Sequence, residues 1–152
     1  MEIKWLNPDA KFDRLVLAGN MVGTNTNLGL VGYKDGKFTL ILETVCPSKD
    51  SDCLDAPIRE TLKLATENRS DLKPRHICIS AAGPVANNKC VMTNLPWSVD
   101  GDAITAATGI DTLIINDFMA ISYGIPTLDV NDENQIHQLT HTDGSRPAPQ
   151  AT

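Results

Sequence analysis

Leu113-Ile114-Ile115-Asn116-Asp117-Phe118 decides how this chain is read. A short apolar run rich in β-branched residues spells a buried strand. In an open α/β sheet the carboxyl end of such a strand faces the crevice where ligands bind, and Asn116 and Asp117 fall at that end. A carboxylate there can serve as a general base, and the carboxamide beside it can both donate to and accept from a hydroxyl. Both residue types also cap helices, and Asp117 to Tyr123 reads as a helix stopped by Gly124 and Pro126. The local sequence weighs these two roles equally.

Upstream, the chain opens with a different rhythm. Leu15 to Ala18 forms a short apolar strand, Asn27 to Tyr33 a second, and Lys37 to Val45 a third. Asp35-Gly36 separates the last two, and that dipeptide tolerates the positive φ of a tight hairpin turn. The first 45 residues therefore read as an antiparallel meander. Next, Asp55 is placed to cap a helix with Pro57 in its first turn and Ile58, Leu62 and Ala65 at helical spacing, closed near Asn68. His76 to Ala82 is a strand ended by Gly83-Pro84, and Lys89 to Thr93 is another after the Asn87-Asn88 turn. Ser98 is expected to cap a short helix through Ala107, with Asp100 and Asp102 against its N-terminal dipole and Gly109 at its stop.

This order predicts an α/β fold: a mixed sheet of three antiparallel strands followed by parallel strands, with packed helices. The expected organisation is an N-terminal extension over 1–14, a single small lobe over 15–128 and a linker or tail over 129–152. No internal repeat is visible.

Composition narrows the function classes. Of 152 residues, 41% are hydrophobic and 21% charged, which suits a folded globular chain and not a disordered one. A net charge of -6 offers no basic face for a nucleic acid backbone, so nucleic acid binding is set aside. No run has signal-peptide or membrane-spanning character, which favours a cytoplasmic location and no membrane partner. Cys46, Cys53, Cys78 and Cys90 show neither C-x-x-C pairing nor zinc-ligand spacing and are expected as reduced thiols. No residue set is assigned to a metal, and His76, His137 and His141 are given no role.

The second chemically suggestive stretch is Gly19-Asn20-Met21-Val22-Gly23-Thr24-Asn25, which turns the first strand into the second. Small residues there let backbone N–H groups and the Thr24 hydroxyl approach phosphate oxygens. The stretch joins two antiparallel strands, so it is neither a P-loop nor a dinucleotide fingerprint. Taken alone, the stretch is better explained as an ordinary Gly- and Asn-bearing turn. Asn94, in Thr93-Asn94-Leu95-Pro96-Trp97, is a further candidate for substrate contact, and Trp97 is expected to pack.

Taken in order, Leu17 to Leu30, Ile79 to Val85, Met92 to Trp97 and Leu113 to Ile125 resemble the N-terminal lobe of bacterial-type ATP-dependent glucokinases. The resemblance implies a ribonuclease H-like, actin-like ATPase lobe, closing with a C-terminal lobe on ATP and glucose or a related hexose. It implies that Gly19, Asn20, Met21, Val22, Gly23 and Thr24 form the first phosphate motif. Asn116 would hold sugar hydroxyls and Asp117 would take the proton of the 6-hydroxyl, with Mg2+ bridging the nucleotide phosphates. The family's second phosphate loop and adenosine-binding segment are expected after Thr152, so the chain alone is expected to be inactive. A homodimer is compatible with this reading. Asn20 and Val22 stand where the family typically has Asp and Gly. A non-catalytic sugar-binding or regulatory relative is therefore the alternative, and a plain interaction domain with Asn116-Asp117 as a helix cap is a third.

Overall fold

Alternation of side chains along each strand, with one face apolar, builds the lobe. The computed structural model describes residues 1–22, 24–48, 53–92, 97–137 and 142–145, the side chain of Val22 excepted. In chain order the elements are β1 (Glu2–Trp5), β2 (Arg14–Val22), β3 (Asn25–Lys34), β4 (Lys37–Pro47), α1 (Asp55–Asn68), β5 (His76–Ala81), β6 (Val85–Ala86), β7 (Lys89–Val91), β8 (Ser98–Asp100), α2 (Gly101–Thr108), β9 (Asp111–Asn116) and α3 (Asp117–Gly124). The chain divides into two units, Met1–Ala120 and Ile121–Thr152.

In the first unit six strands pair in the order β1-β4-β3-β2-β5-β9. The meander β2-β3-β4 is antiparallel, as the turn chemistry implied, while β5 runs parallel to β2 and β9 parallel to β5. Glu2–Trp5 carries no strong strand pattern, yet it adds to the edge of β4 as β1, so the first residues belong to the sheet. A second, small sheet joins β6, β7 and β8. Asn87 and Asn88, at φ 50 and 57, make the two-residue turn between β6 and β7, where short polar side chains tolerate the left-handed region.

One face of the large sheet carries the core. Leu15, Leu17 and Met21 of β2, Leu28 and Leu30 of β3, Leu42 of β4, Ile77, Ile79 and Ala81 of β5 and Ile114 of β9 are buried together. Helix α1 covers this face with Pro57, Ile58, Thr61 and Ala65, and α2 with Ile104. The Thr61 and Thr44 hydroxyls bond each other at 2.8 Å inside the core, which removes the desolvation cost of both. The opposite face is more open: Leu113 keeps 57% of its surface exposed. The strand expected to be buried is the sheet's edge, apolar on both faces but covered fully on one.

Two helix starts differ from expectation. Asp55 lies inside α1, whose cap position is Leu54 without a side-chain cap bond, and pairs with Arg59 at 2.7 Å one turn on. Asp100, not Ser98, caps α2: its Oδ1 accepts from the backbone N–H of Asp102 and Ala103, while Ser98 is drawn into β8 by pairing with Val91. Gly109 ends α2 at φ 72, as its position after the apolar pattern predicted.

In the second unit, Ile125–Thr127 forms a 3-10 turn with Pro126 in its first positions, and Thr127 Oγ1 donates to the Gly124 carbonyl at 2.6 Å. Asp132 then accepts from the Asn134 backbone N–H and from the side chains of Gln135 and Asn134, which holds its carboxyl below the usual range. No helix among the described residues is long and apolar enough to cross a membrane.

Candidate functional site

Parallel pairing puts the carboxyl ends of β2, β5 and β9 along one edge of the sheet. Met21, Ala81 and Asn116 are direct partners across these strands, so Asn116 lies two strand spacings, about 10 Å, from the end of β2. The two stretches singled out in the sequence, nearly a hundred residues apart, meet at this edge.

Asn116 is held firmly. Its Nδ2 donates to the Gly83 carbonyl at 2.9 Å and its Oδ1 accepts from the Phe118 N–H at 2.9 Å. Gly83 follows β5 and turns tightly over Cys90: a Cβ on it would meet the Cys90 Sγ at 3.0 Å and the Val91 carbonyl at 3.2 Å. A side chain there would force these neighbours back by a few tenths of an ångström, so glycine suits the close approach. Asp117, half-buried, begins α3 and its Oδ1 also accepts from the Phe118 N–H at 2.9 Å. The helix-cap role considered for Asn116-Asp117 is thus present, and it coexists with placement at the carboxyl ends of the parallel strands. Burial, and after it the negative charge of Asp117, push the Cys90 thiol above its ordinary value. Cys90 itself is fully buried, Cys46 is buried, Cys53 exposed and Cys78 half-buried, and none of the four is in a disulfide.

The residues of the β2-β3 hairpin divide by face. Gly19 lies on the core side, where a Cβ would collide with the end of Ile79 and meet Leu28 Cδ2 at 3.0 Å, so packing accounts for this glycine. Met21 is a core residue, 1% exposed, and offers only its backbone to a ligand. Val22 continues β2 and pairs with Asn25, closing the hairpin around an exposed Thr24. Asn20 points to the open face, exposed, and its Oδ1 accepts from Ser80 Oγ at 3.1 Å. Gly23, Asn94 and His141 lie outside the described residues.

Sequence reasoning missed Ser80 and Asn27. Ser80 is the partner of Asn20 on β5, and Asn27 is its partner on β3, so the three side chains share one face in adjacent strands. Only the register reveals this, since nothing in the sequence marks either residue. The row carries hydroxyl and carboxamide groups without a carboxylate. Among the described residues no group of three His, Cys, Asp or Glu side chains could hold a metal ion. The donors here suit phosphate oxygens better than a hard cation, which takes oxygen ligands that include carboxylates.

A mixed sheet whose antiparallel meander leads into parallel strands, with its polar edge at their carboxyl ends, defines one lobe of an actin-like ATPase. Residues 17–151 match the glucokinase family model, and the chain belongs to the glucokinase family. It is 32% identical to a glucokinase from Erwinia tasmaniensis over 91% of its own length and 40% of that protein's. A glucokinase from Nostoc punctiforme is 33% identical over 82% of this chain and 35% of the relative. The crystal structure of a glucokinase from an Antarctic psychrotroph superposes with a TM-score of 0.65 at 29% identity, covering 80% of this chain and 37% of that one. The chain thus spans a third to two fifths of the length of these relatives.

Proposed function

We propose that this chain supplies one lobe of a cytoplasmic hexose kinase that transfers the γ-phosphoryl group of ATP to the 6-hydroxyl of glucose. The observation that carries the proposal is the convergence of Asn116 and Asp117 with the end of the β2-β3 hairpin at one edge of the sheet. Asn116, pinned by Gly83 and Phe118, would present its remaining hydrogen-bonding capacity to sugar hydroxyls. Asp117 would accept the proton of the attacking hydroxyl as the O–P bond forms, a task that needs a fixed carboxylate at the site's rim. Thr24 and Asn20 would face the phosphates. The family generally works with ATP and Mg2+, and the ion's contribution would be to neutralise phosphate charge. Membership in the family supports this assignment. So does the fold shared with a glucokinase from Balamuthia mandrillaris determined in complex with glucose, at a TM-score of 0.59 and 18% identity.

Alone, the chain would be silent, because an edge open to solvent lacks the opposing surface that positions two substrates and excludes water. Incubating it with ATP, Mg2+ and glucose should give no glucose 6-phosphate, and robust formation would refute that expectation. In the complete kinase, Asp117→Asn should lower kcat by about 100-fold to 10,000-fold with little change in glucose affinity. Turnover within twofold of the parent would remove Asp117 from the role of base. One observation favours a second reading, a sugar-binding relative without catalysis: the exposed end of β2 carries the neutral Asn20 bonded to Ser80. Calorimetry separates the two, since glucose binding without any nucleotide binding belongs to the second alone.

A further inference from the structure

Residues 1–16 precede the stretch that matches the family model, and within them β1 forms one rim of the large sheet. Among the described residues no strand pairs with its outer side. The rim is anchored from several directions. Leu6 and Asn7 both donate their N–H to the Ile41 carbonyl, Asn7 Nδ2 donates to the Leu40 carbonyl at 2.8 Å, and the Arg69 guanidinium donates to the carbonyls of Pro8 and Ala10 at 3.0 and 2.7 Å. A strand held in this way has little freedom left to lose when another strand joins it.

Register assigns its free groups. Glu2, Ile3, Lys4 and Trp5 lie opposite Val45, Thr44, Glu43 and Leu42 of β4. In an antiparallel pair the backbone groups of alternate residues point to the same neighbour. The Leu6 N–H points to β4, so the groups of Lys4 and Glu2 point there too, and those of Ile3 and Trp5 point outward. On the core face Ile3 and Trp5 are half-buried, while Glu2 and Lys4 are exposed on the other.

We propose that β1 pairs antiparallel with β1 of a second copy of this chain, joining two lobes into one continuous sheet. Pairing between outward-pointing residues allows registers two residues apart, and charge chooses among them. With Ile3 opposite the partner's Ile3, Glu2 faces the partner's Lys4 on both sides of the twofold axis. A slip of two residues sets Lys4 against Lys4 in one direction and Glu2 against Glu2 in the other, and like charges directly opposite are unfavourable. In the favoured register each Ile3 N–H donates to the partner's Ile3 carbonyl and each Trp5 N–H to the partner's Met1 carbonyl. The Glu2 and Lys4 pairs then occupy the non-hydrogen-bonded positions, where facing side chains come closest. Glu43 of β4 flanks Lys4 on its own sheet, so each ammonium sits between two carboxylates. Such a contact uses the same patch on both copies and closes at two. It depends on neither the kinase reading nor the strand ends proposed to face phosphate.

Sedimentation of the 152-residue chain from about 10 μM to about 1 mM tests the pairing, because contacts of this small size are weak. The parent should show a monomer–dimer equilibrium with no larger species. Glu2→Lys lies opposite Val45, leaves the pairing with β4 intact, and should raise the dimer dissociation constant about tenfold by setting like charges against each other. Lys4→Glu combined with Glu43→Lys keeps opposite charges between β1 and β4 and should weaken self-association equally. Mixed in equal amounts, these two variants should form a heterodimer as tight as the parent dimer, since every lysine then meets a glutamate. Ile3→Pro removes an outward N–H, a strand position where proline is tolerated, and should abolish the dimer. Far-UV circular dichroism matching the parent checks that each variant is folded. A parent monomeric throughout, a dimer that Glu2→Lys or Ile3→Pro leaves unchanged, or a mixture that forms no heterodimer overturns the proposal.

Discussion

Replacing Asn88 should loosen the edge strand that delivers Asn116 and Asp117. Its carboxamide imitates a neighbouring strand: Oδ1 accepts from the Ile114 N–H at 2.8 Å and Nδ2 donates to the Thr112 carbonyl at 2.9 Å, both on β9. The same Nδ2 reaches Asp102 at 3.0 Å, and the Asn88 carbonyl accepts from the Gly101 N–H at 2.9 Å. A Cβ on Gly101 would collide with the carboxamide, so the start of α2 is shaped around this side chain. Two part-buried backbone bonds at about 1 kcal/mol each, plus a smaller share for the exposed Asp102 contact, put Asn88→Gly at about 2 kcal/mol. Asn88→Ala adds about 1 kcal/mol more, because φ of 57 suits glycine and asparagine but not alanine. Asn88→Asp keeps the acceptor for Ile114 but sets a carboxylate against Thr112 and Asp102. Its loss should be the largest at neutral pH and should shrink on acidification, as protonation restores a donor. Urea denaturation followed by fluorescence of Trp5 and Trp97, both packed against the core, reads all three. An Asn88→Ala loss under about 0.5 kcal/mol, or a glycine variant worse than the alanine one, would refute the reasoning.

Two other outcomes can be checked in the same assay. Gly19→Ala should cost about 1–3 kcal/mol, since the new methyl must displace Ile79 and Leu28 in a filled core, and an unchanged midpoint would return this glycine to the phosphate motif. Asp100→Ala should cost about 1 kcal/mol through loss of the α2 cap. The Lys89 ammonium, and then the capped N–H groups, hold the Asp100 carboxyl below its ordinary value. Its contribution is therefore complete above the unfolded carboxylate range and disappears as pH falls through the lowered folded value. Parent and variant should converge in stability once acid has protonated the folded carboxyl, and a gap that persisted in strong acid would contradict the assignment.

Much of the architecture was legible in the chain because its signals are local. Asp35-Gly36 and Asn87-Asn88 mark their hairpins through the positive φ each pair accepts, and Gly109 marks the end of α2 for the same reason. The periodicity around Ile58, Leu62 and Ala65 predicted α1, and the run ending at Asn116 predicted both the strand and the helix after it. Local signals fail where pairing decides. Glu2–Trp5 becomes a strand only because the edge of β4 offers it unpaired backbone groups, and Ser98 yields the α2 cap to Asp100 because β7 recruits it.

By itself, then, the sequence determined the meander, the strands β5 and β9, the helices, their α/β order and the family resemblance, since hydrophobic period, turn chemistry and short motifs are properties of neighbouring residues. The tertiary structure decided which face each candidate presents. Register turned Gly19 and Met21 into the core, turned Asn20 outward, and set it between Ser80 and Asn27. The physical reason is the two-residue period of a strand: one step along the chain reverses a side chain's side, and only pairing with other strands says which side meets a ligand.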